Sequence, residues 1–564
     1  MPRTSPGAPA LSLAPLATLA LAAPPAAGQA TTPVSLPGAH DVSGASDPSI
    51  SGDGRYVAYA AVDSAVHTCI DILLYDFQDG SLTNVTYCDP FAGDVSSSDP
   101  VLSGDGSTLV HTQGQLFLRP LPLSVLTISE VVSVSTGGEH ADAICLDVAL
   151  SRDGTQVAFH TTATNLTSPP PLFSNYYNLY VRNRASGQTV LVSETFGGAP
   201  AAAHCFKASL SADGRYVAFE SAAEDLLPPG EDTNLRTDVF VRDRDPDGNG
   251  VFDEGNATTT RVSLTSAGDQ ADGHSQTPSI SADGRFVAFA SGAVNLSPTS
   301  PAAAVYEVFV HDRDPDGNGD FTDEPGTTEV VSLTSAGEVP LGYHRDPKIS
   351  DDGRYVLFWS ASPFVPNAAG IQVYVHDRET SWTHLVTSDA HGEPGDGPFT
   401  QARRDLALSG DATRAVFATD AANLAPGDAN GLEDVYAKDL CPSAGVDQGF
   451  ALAGYQGETP YLWACGELSS GSNGLLRLRD ARPGSQAFLA YGFQPSPTPL
   501  FGGTVITLQF AAVVPFPIGP EGWTELPLPG GGGPLQLYAQ CAVLEPDAFQ
   551  GVALSNALEV QLLP

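Results

Sequence analysis

The residues best placed by type and spacing to do chemistry are carboxylates. Asp243, Asp245 and Asp247 alternate along Asp243-Arg244-Asp245-Pro246-Asp247-Gly248, and Glu254 follows six residues after the glycine. This is the D-x-D-x-D-G-x5-E spacing of a calcium loop, in which alternate side chains turn oxygens towards one centre and glycine permits the bend. A second register starts at Asp245, uses Asp247 and Asn249, and puts Gly250 at the turn and Phe252 at the apolar position. The pattern returns as Asp312, Asp314, Asp316, Asn318 and Asp323. Both segments are insertions where other repeats have a plain turn such as Ala185-Ser186-Gly187. The expectation is structural calcium in two loops without flanking helices; the alternative is a solvated acidic hairpin. Asp428-Ala429-Asn430-Gly431-Leu432-Glu433-Asp434 is a weaker, abbreviated version.

A second set of polar residues repeats along the chain. Asp47, Asp99, Asp147, Lys207, Thr277, Asp346 and Asp405 each stand four residues before a recurring serine. At one position of a ring they would surround an axial mouth and attract a cation or a basic peptide. The plainer reading is an Asp that satisfies backbone groups at a strand start. His204, His274 and His344 fall in the connecting loops nearby and read as solvated loop histidines rather than a metal trio. The repeated Ser and Asp are turn residues bonding local backbone, not a catalytic dyad. No Gly-x-Ser-x-Gly elbow, His-Glu-x-x-His pair, phosphate loop or dinucleotide fingerprint occurs.

Those side chains need a frame, and composition narrows it. The 564 residues carry 25 Lys+Arg against 65 Asp+Glu, a formal net charge of −40 that argues against nucleic acid and anionic lipid as partners. Apolar residues make up 42%, enough for packed cores, and 57 Gly with 46 Pro imply many turns and few long helices. Met-Pro-Arg, an Ala/Leu-rich run from about Ala10 to Ala23, and Gly28-Gln29-Ala30 follow the order of a secretory signal peptide over residues 1–30. Export to the periplasm, cell surface or medium is expected, with no membrane span. Seven Cys (69, 88, 145, 205, 441, 465 and 541) then suggest structural disulfides, Cys441 with Cys465 first, and one thiol left over.

The strongest signal is internal repetition. Ser-x-Asp-Gly followed by a β-rich run occurs at Ser51, Ser103, Ser151, Ser211, Ser281 and Ser350, and in altered form at Ser409-Gly410-Asp411-Ala412. Such a period indicates stacked or radial units. In one unit, Ala208–Ser211 reads as a strand, Asp213-Gly214 as the turn, and Tyr216–Glu220, Asp238–Arg244 and Thr260–Leu264 as three more strands. Four antiparallel strands per unit describe propeller blades. The seventh unit lacks its outer strand, and Thr31-Thr32-Pro33-Val34-Ser35-Leu36 resembles that strand, so the N-terminal segment is expected to close the ring. The expected fold is all-β: a seven-bladed propeller over residues 31–440, six blades being the runner-up, then a β-sandwich-like module over 441–564.

The units resemble the WD-repeat-like blades of the TolB propeller family, whose landmark is Ser-Pro-Asp-Gly before a β-run. Here Ala, Gly, Arg or Asp replaces that Pro, as in Ser281-Ala282-Asp283-Gly284-Arg285-Phe286-Val287-Ala288-Phe289. The C-terminal stretch from Leu537 to Ala557 resembles a module of exported planctomycete-type proteins. The resemblance implies a binding platform. The functional expectation is therefore a non-enzymatic binding or scaffold protein for an envelope or extracellular protein or glycan, with loops Ala222–Thr237, Ser291–Val305 and Ala361–Ile371 carrying specificity. Its rival is a secreted carbohydrate-active hydrolase or lyase working in the propeller mouth. That rival requires His or carboxyl groups with displaced pKa values at positions that break the repeat.

Overall fold

In a computed structural model the chain is all-β, and its repeats form seven four-stranded antiparallel sheets. It describes residues 31–35, 42–63, 70–86, 97–121, 129–168, 170, 175–297, 305–322, 325–365, 368, 370–379, 381–389, 394–397, 406–425, 428 and 431–440, and beyond them 445–449, 461–465, 473–479, 482, 484–492, 498–500, 503–505, 512–518, 524–529, 535–544, 552–555 and 557–562. The proposed signal segment, Cys69, Cys88, Asp323, Asp405 and Cys441 lie outside the described residues.

Each landmark folds for a local reason. The Ser51 hydroxyl donates to Asp53 at 2.6 Å and accepts from the Tyr56 N–H at 3.0 Å, while Asp53 accepts from the Arg55 N–H. The same three-way knot recurs in blade four at Ser211, Asp213 and Tyr216. Gly54 and Gly214 take φ of 71° and 74°, where an ordinary side chain is strained. The Arg that follows the glycine then grips the Asp ending the third strand: Arg215 with Asp243, Arg285 with Asp312, Arg354 with Asp377.

In the second strands Val and Phe two residues apart face one side of a blade and the residues between them the other, so cores form between neighbours. Val217 and Phe219 of blade four pack on Leu179 and Val181 of blade three; Val416 of blade seven packs on Val57 and Tyr59 of blade one. The Phe/Tyr pairs Phe159–Tyr180, Phe219–Phe240 and Phe417–Tyr436 stack with centroids 5.9–6.1 Å apart. The second unit, Ser98–Leu102 to Glu130–Val131, is a full blade.

The ring closes as expected. Thr31–Pro33 pairs antiparallel with Asp434–Asp439, Thr31 opposite Lys438, and completes the seventh sheet. A second closure lies at the landmark turns, where main-chain N–H groups reach the carbonyl of the next blade. Gly52 donates to Gly104, Asp105 to Arg152, Arg152 to Ala212, Ala212 to Ala282, Ala282 to Asp351, Asp351 to Gly410 and Asp411 back to Gly52, all at 2.7–3.1 Å. In five of these seven links the donor is the residue between Ser and Asp. Proline there would have no N–H to give, which accounts for its absence from those five landmarks.

Beyond the ring, Tyr461–Cys465, Asn473–Arg479 and Thr524–Pro529 form one sheet, and a six-stranded sheet runs from Gly445–Gly449 to Ala512–Pro517. Leu462, Leu476 and Leu478 of the first pack against Leu489, Phe516 and Val543 of the second, a sandwich-like arrangement. No helix among the described residues is long and apolar enough to cross a membrane.

Candidate active site in the axial cup

The inner strand of every described blade but the seventh carries a bulge. Pairing slips between Leu146 and Ala149, Phe206 and Ser209, Gln276 and Ser279, and Arg345 and Lys348. The extra residue turns into the left-handed region: Asp47, Asp99, Asp147, Lys207, Thr277 and Asp346 have φ of 45–53°. Asp tolerates this geometry better than most residues; a Lys and a β-branched Thr do not, so blades four and five break a local rule. These residues line a cavity of about 390 Å³ around the axis. Its far end lies among the landmark turns, where Arg152 of blade three and Asp351 of blade six form an ion pair across the ring. The cavity bounded by these bulge residues is the axial cup.

Behind this rim, the second strand supplies a wall position at which blades one, five and seven place Ala60, Ala290 and Ala418, and blade two Thr112. Blades three, four and six place His160, Glu220 and Trp359 there, opposite Leu146, Phe206 and Arg345. Lys207 Nζ sits 3.0 Å from Asp147 Oδ1, and His160 Nδ1 is 3.4 Å from Asp147 Oδ2 without the alignment of a hydrogen bond. Glu220 Oε2 accepts from the Thr277 N–H at 2.6 Å, and Trp359 Nε1 donates to Asp346 at 2.6 Å. Tyr177 and Phe206 crowd the His160 ring with centroids 5.0 and 5.2 Å apart, and His204 packs in turn on both of them.

Burial and charge displace three of these groups. Burial pushes the Glu220 carboxyl up, against the opposing pull of the Thr277 N–H and Lys207. Burial drives His160 down to about 4, although the Asp147 charge works the other way. Burial also pulls on Lys207, but Asp147, Asp346 and Glu220 outweigh it and hold the ammonium above its usual value. Behind the cavity lining there thus stand a buried imidazole that is neutral near neutral pH and a carboxyl group whose pKa burial raises, next to a rim cation paired with Asp147. That is the equipment of acid–base catalysis.

The residues proposed for calcium lie elsewhere, in the third-to-fourth-strand loops on the ring face opposite the mouth. Asp243 and Asp312 are each clamped in both oxygens by Arg215 and Arg285. Asp245 accepts from the N–H groups of Asn249 and Gly250, and Asp314 from those of Asn318 and Gly319. Asp247 and Glu254 converge on Asn249 Nδ2 at 3.1 and 2.7 Å; Asp316 meets Asn318 Nδ2 at 2.9 Å. No group of three or more His, Cys, Asp or Glu among the described residues is disposed to hold a metal ion. The three loop histidines are not brought together: His204 and His274 accept from the N–H groups of Tyr177 and Thr237, and His344 is buried against Ser360.

The disulfide expectation is corrected for the cysteines described. Cys145, Cys205 and Cys541 are buried free thiols. Cys145 and Cys205 open the inner strands of adjacent blades, where burial pushes them up to about 11 and about 12.

No family model and no curated protein matches the chain. Among solved structures it is similar to an oligogalacturonate lyase from Vibrio parahaemolyticus, at 12% identity and a TM-score of 0.45, over 73% of this chain and 94% of that one. It is also similar to a puromycin-hydrolysing peptidase from Mycobacterium tuberculosis, at 12% identity, a TM-score of 0.41 and 75% coverage of this chain. Prolyl oligopeptidase B from Galerina marginata gives 12% identity, a TM-score of 0.40 and 79% coverage. Of each of these two peptidases only 57% is spanned. All three carry the names of enzymes, against the expectation of a non-enzymatic binding or scaffold protein.

Proposed function

We propose that the chain is an enzyme that cleaves a neutral glycan by acid–base catalysis in the axial cup. One observation carries this reading: at a single wall position three blades replace a small residue with His160, Glu220 and Trp359, around the Lys207–Asp147 pair. Glu220, biased towards its acid form, gives its proton to the glycosidic oxygen as the bond to the anomeric carbon breaks. Asp147 takes the proton from the water that attacks that carbon. Lys207 and neutral His160 position Asp147, and the rings of Tyr177, Phe206 and Trp359 offer faces for a sugar. Four rim carboxylates disfavour a polyanionic substrate, so hydrolysis fits better than elimination from a uronate.

The export of the chain, and membership of its ring in the TolB-like propellers, belong to the same proposal. The N-terminal apolar stretch and the repeated landmark support them.

The test is release of reducing ends from a panel of neutral oligosaccharides by the purified full chain and by Glu220→Gln. A drop of about 10²–10⁴-fold in the variant, with its melting temperature unchanged, is expected. Equal activity in the variant sinks the assignment.

A further inference from the structure

Four arginines stand one residue beyond the third strand in blades three to six: Arg184, Arg244, Arg313 and Arg378. Each donates Nη1 to the carbonyl of its own landmark glycine, Gly154, Gly214, Gly284 or Gly353, at 2.5–2.9 Å. In three of them the Nε edge of the guanidinium meets a carboxylate. Arg184 takes Glu130 and Arg378 takes Glu329, both from the outer strand of the preceding blade. Arg244 takes Asp253, from its own insertion, with Nε at 3.1 Å.

Among the described residues Arg313 has no carboxylate on that edge. Its insertion aligns with that of blade four without a gap, and Thr322 stands where Asp253 would be. In the preceding blade, Thr260 pairs with Val241 as Glu329 pairs with Val310, so Thr260 stands where the other acid would be. Both sources of a counter-charge are thus threonines, and both line a cavity of about 470 Å³ together with Arg313. Arg313 is only 5% exposed, held between the rings of Tyr216 and Phe321 at 4.8 and 4.6 Å. A buried guanidinium stacked between rings, with no carboxylate bonded to it among the described residues, is a costly charge whose open edge an anion would satisfy. Glu231, the acid on the cavity wall, is not bonded to it.

We infer that this cavity binds a small carboxylate-bearing ligand, whose two oxygens take the Nε and Nη2 donors of Arg313 as Asp253 takes those of Arg244. The site lies between the outer parts of blades four and five, separate from the axial cup. The shared chemistry is a planar carboxylate, and its source is a uronic acid or a peptide C-terminus.

The test is isothermal titration of the full chain with acetate, comparing the parent with Arg313→Gln and Thr322→Asp. Thr322→Asp restores the arrangement of blade four, so it should keep or raise the melting temperature while weakening acetate binding about tenfold or more. Arg313→Gln should remove binding. No saturable acetate binding to the parent, or an unchanged isotherm for Thr322→Asp, overturns the inference. Glucuronate against glucose, and triglycine acid against its amide, then separate the sources. Tighter binding of one acid than of acetate, with its neutral counterpart silent, assigns that source.

Discussion

The main-chain N–H of Asp411, in the last blade, donates to the carbonyl of Gly52, in the first, at 3.1 Å. It is the final link of a hydrogen-bonded hoop that passes through all seven landmark turns. Ala282 donates one link, to Asp351 at 3.0 Å. Ala282→Pro rebuilds the Ser-Pro-Asp-Gly landmark of the resembling family but deletes that donor. It should destabilise the ring by about 1–3 kcal/mol in urea unfolding, the cost of leaving a carbonyl unmet. Ala282→Gly, which keeps the N–H, should cost less; equal losses would show that the link itself contributes nothing.

The pH dependence of the proposed activity has a defined sign. Glu220 works as an acid, so turnover should fall as pH rises through its raised pKa. Lys207 stabilises the charged form of Glu220. Lys207→Met should therefore move the basic limb of the pH–rate profile to higher pH, even where it lowers the maximum rate. A limb that stays in place removes Lys207 from the neighbourhood of the acid.

Stability should also depend on pH. Burial lowers His111, His160, His311, His344 and His376 to about 4 each. Their unfolded value is near 6.5, so the unfolded chain binds protons first as pH falls. The stability they contribute is whole above about 6.5 and is lost down to about 4, at roughly 1.4 kcal/mol per pKa unit for each. Glu307, raised by burial to about 7, acts oppositely and favours the folded state more as pH falls from 7 towards 4.5. The histidines outnumber it, so the melting temperature should drop steeply between pH 6.5 and 4. His111, with neither ring nitrogen bonded, is the clearest single contributor. His111→Phe should flatten the slope; a parallel curve would refute its share.

For the acidic loops we propose that calcium takes the place now held by the Asn249 amide, between Asp247 and Glu254. Calcium should then raise the melting temperature, and Asp247→Ala with Asp316→Ala should abolish the rise. An unchanged melt in excess chelator ends the metal reading.

The blade plan was legible because one tetrapeptide does the same job seven times. The Ser hydroxyl, Asp carboxylate and Gly backbone of each landmark leave marks at fixed spacing, and even the closing strand at Thr31–Pro33 echoes its counterpart in blade four. The alternating carboxylates stand out in the sequence too, but spacing could not show that Asp243 and Asp312 are held by the landmark arginines Arg215 and Arg285. Cys145 and Cys205 share a blade position, which reads as partnership on paper. In the ring, equivalence places them in different cores. The wall residues His160, Glu220 and Trp359 were hidden for another reason: the bulge adds a residue to the inner strand, so the face of each side chain emerges only from the pairing. A column of Ala60, Ala290 and Ala418 against these three would have exposed the departure. Arg313 needed three companions to look incomplete.

The strand Thr31–Pro33 also sets an order of events. It leaves the ribosome before the rest of the ring, yet its partner Asp434–Asp439 follows some 400 residues later. Until then the early blades hold an open edge, and the first blade lacks the face of Val416 and Val435 that covers Val57 and Tyr59. Closure is thus the last step in forming the ring and a slow, long-range one. A chain cut before residue 434 is expected to persist as an open arc prone to edge-to-edge association, rather than as a smaller ring.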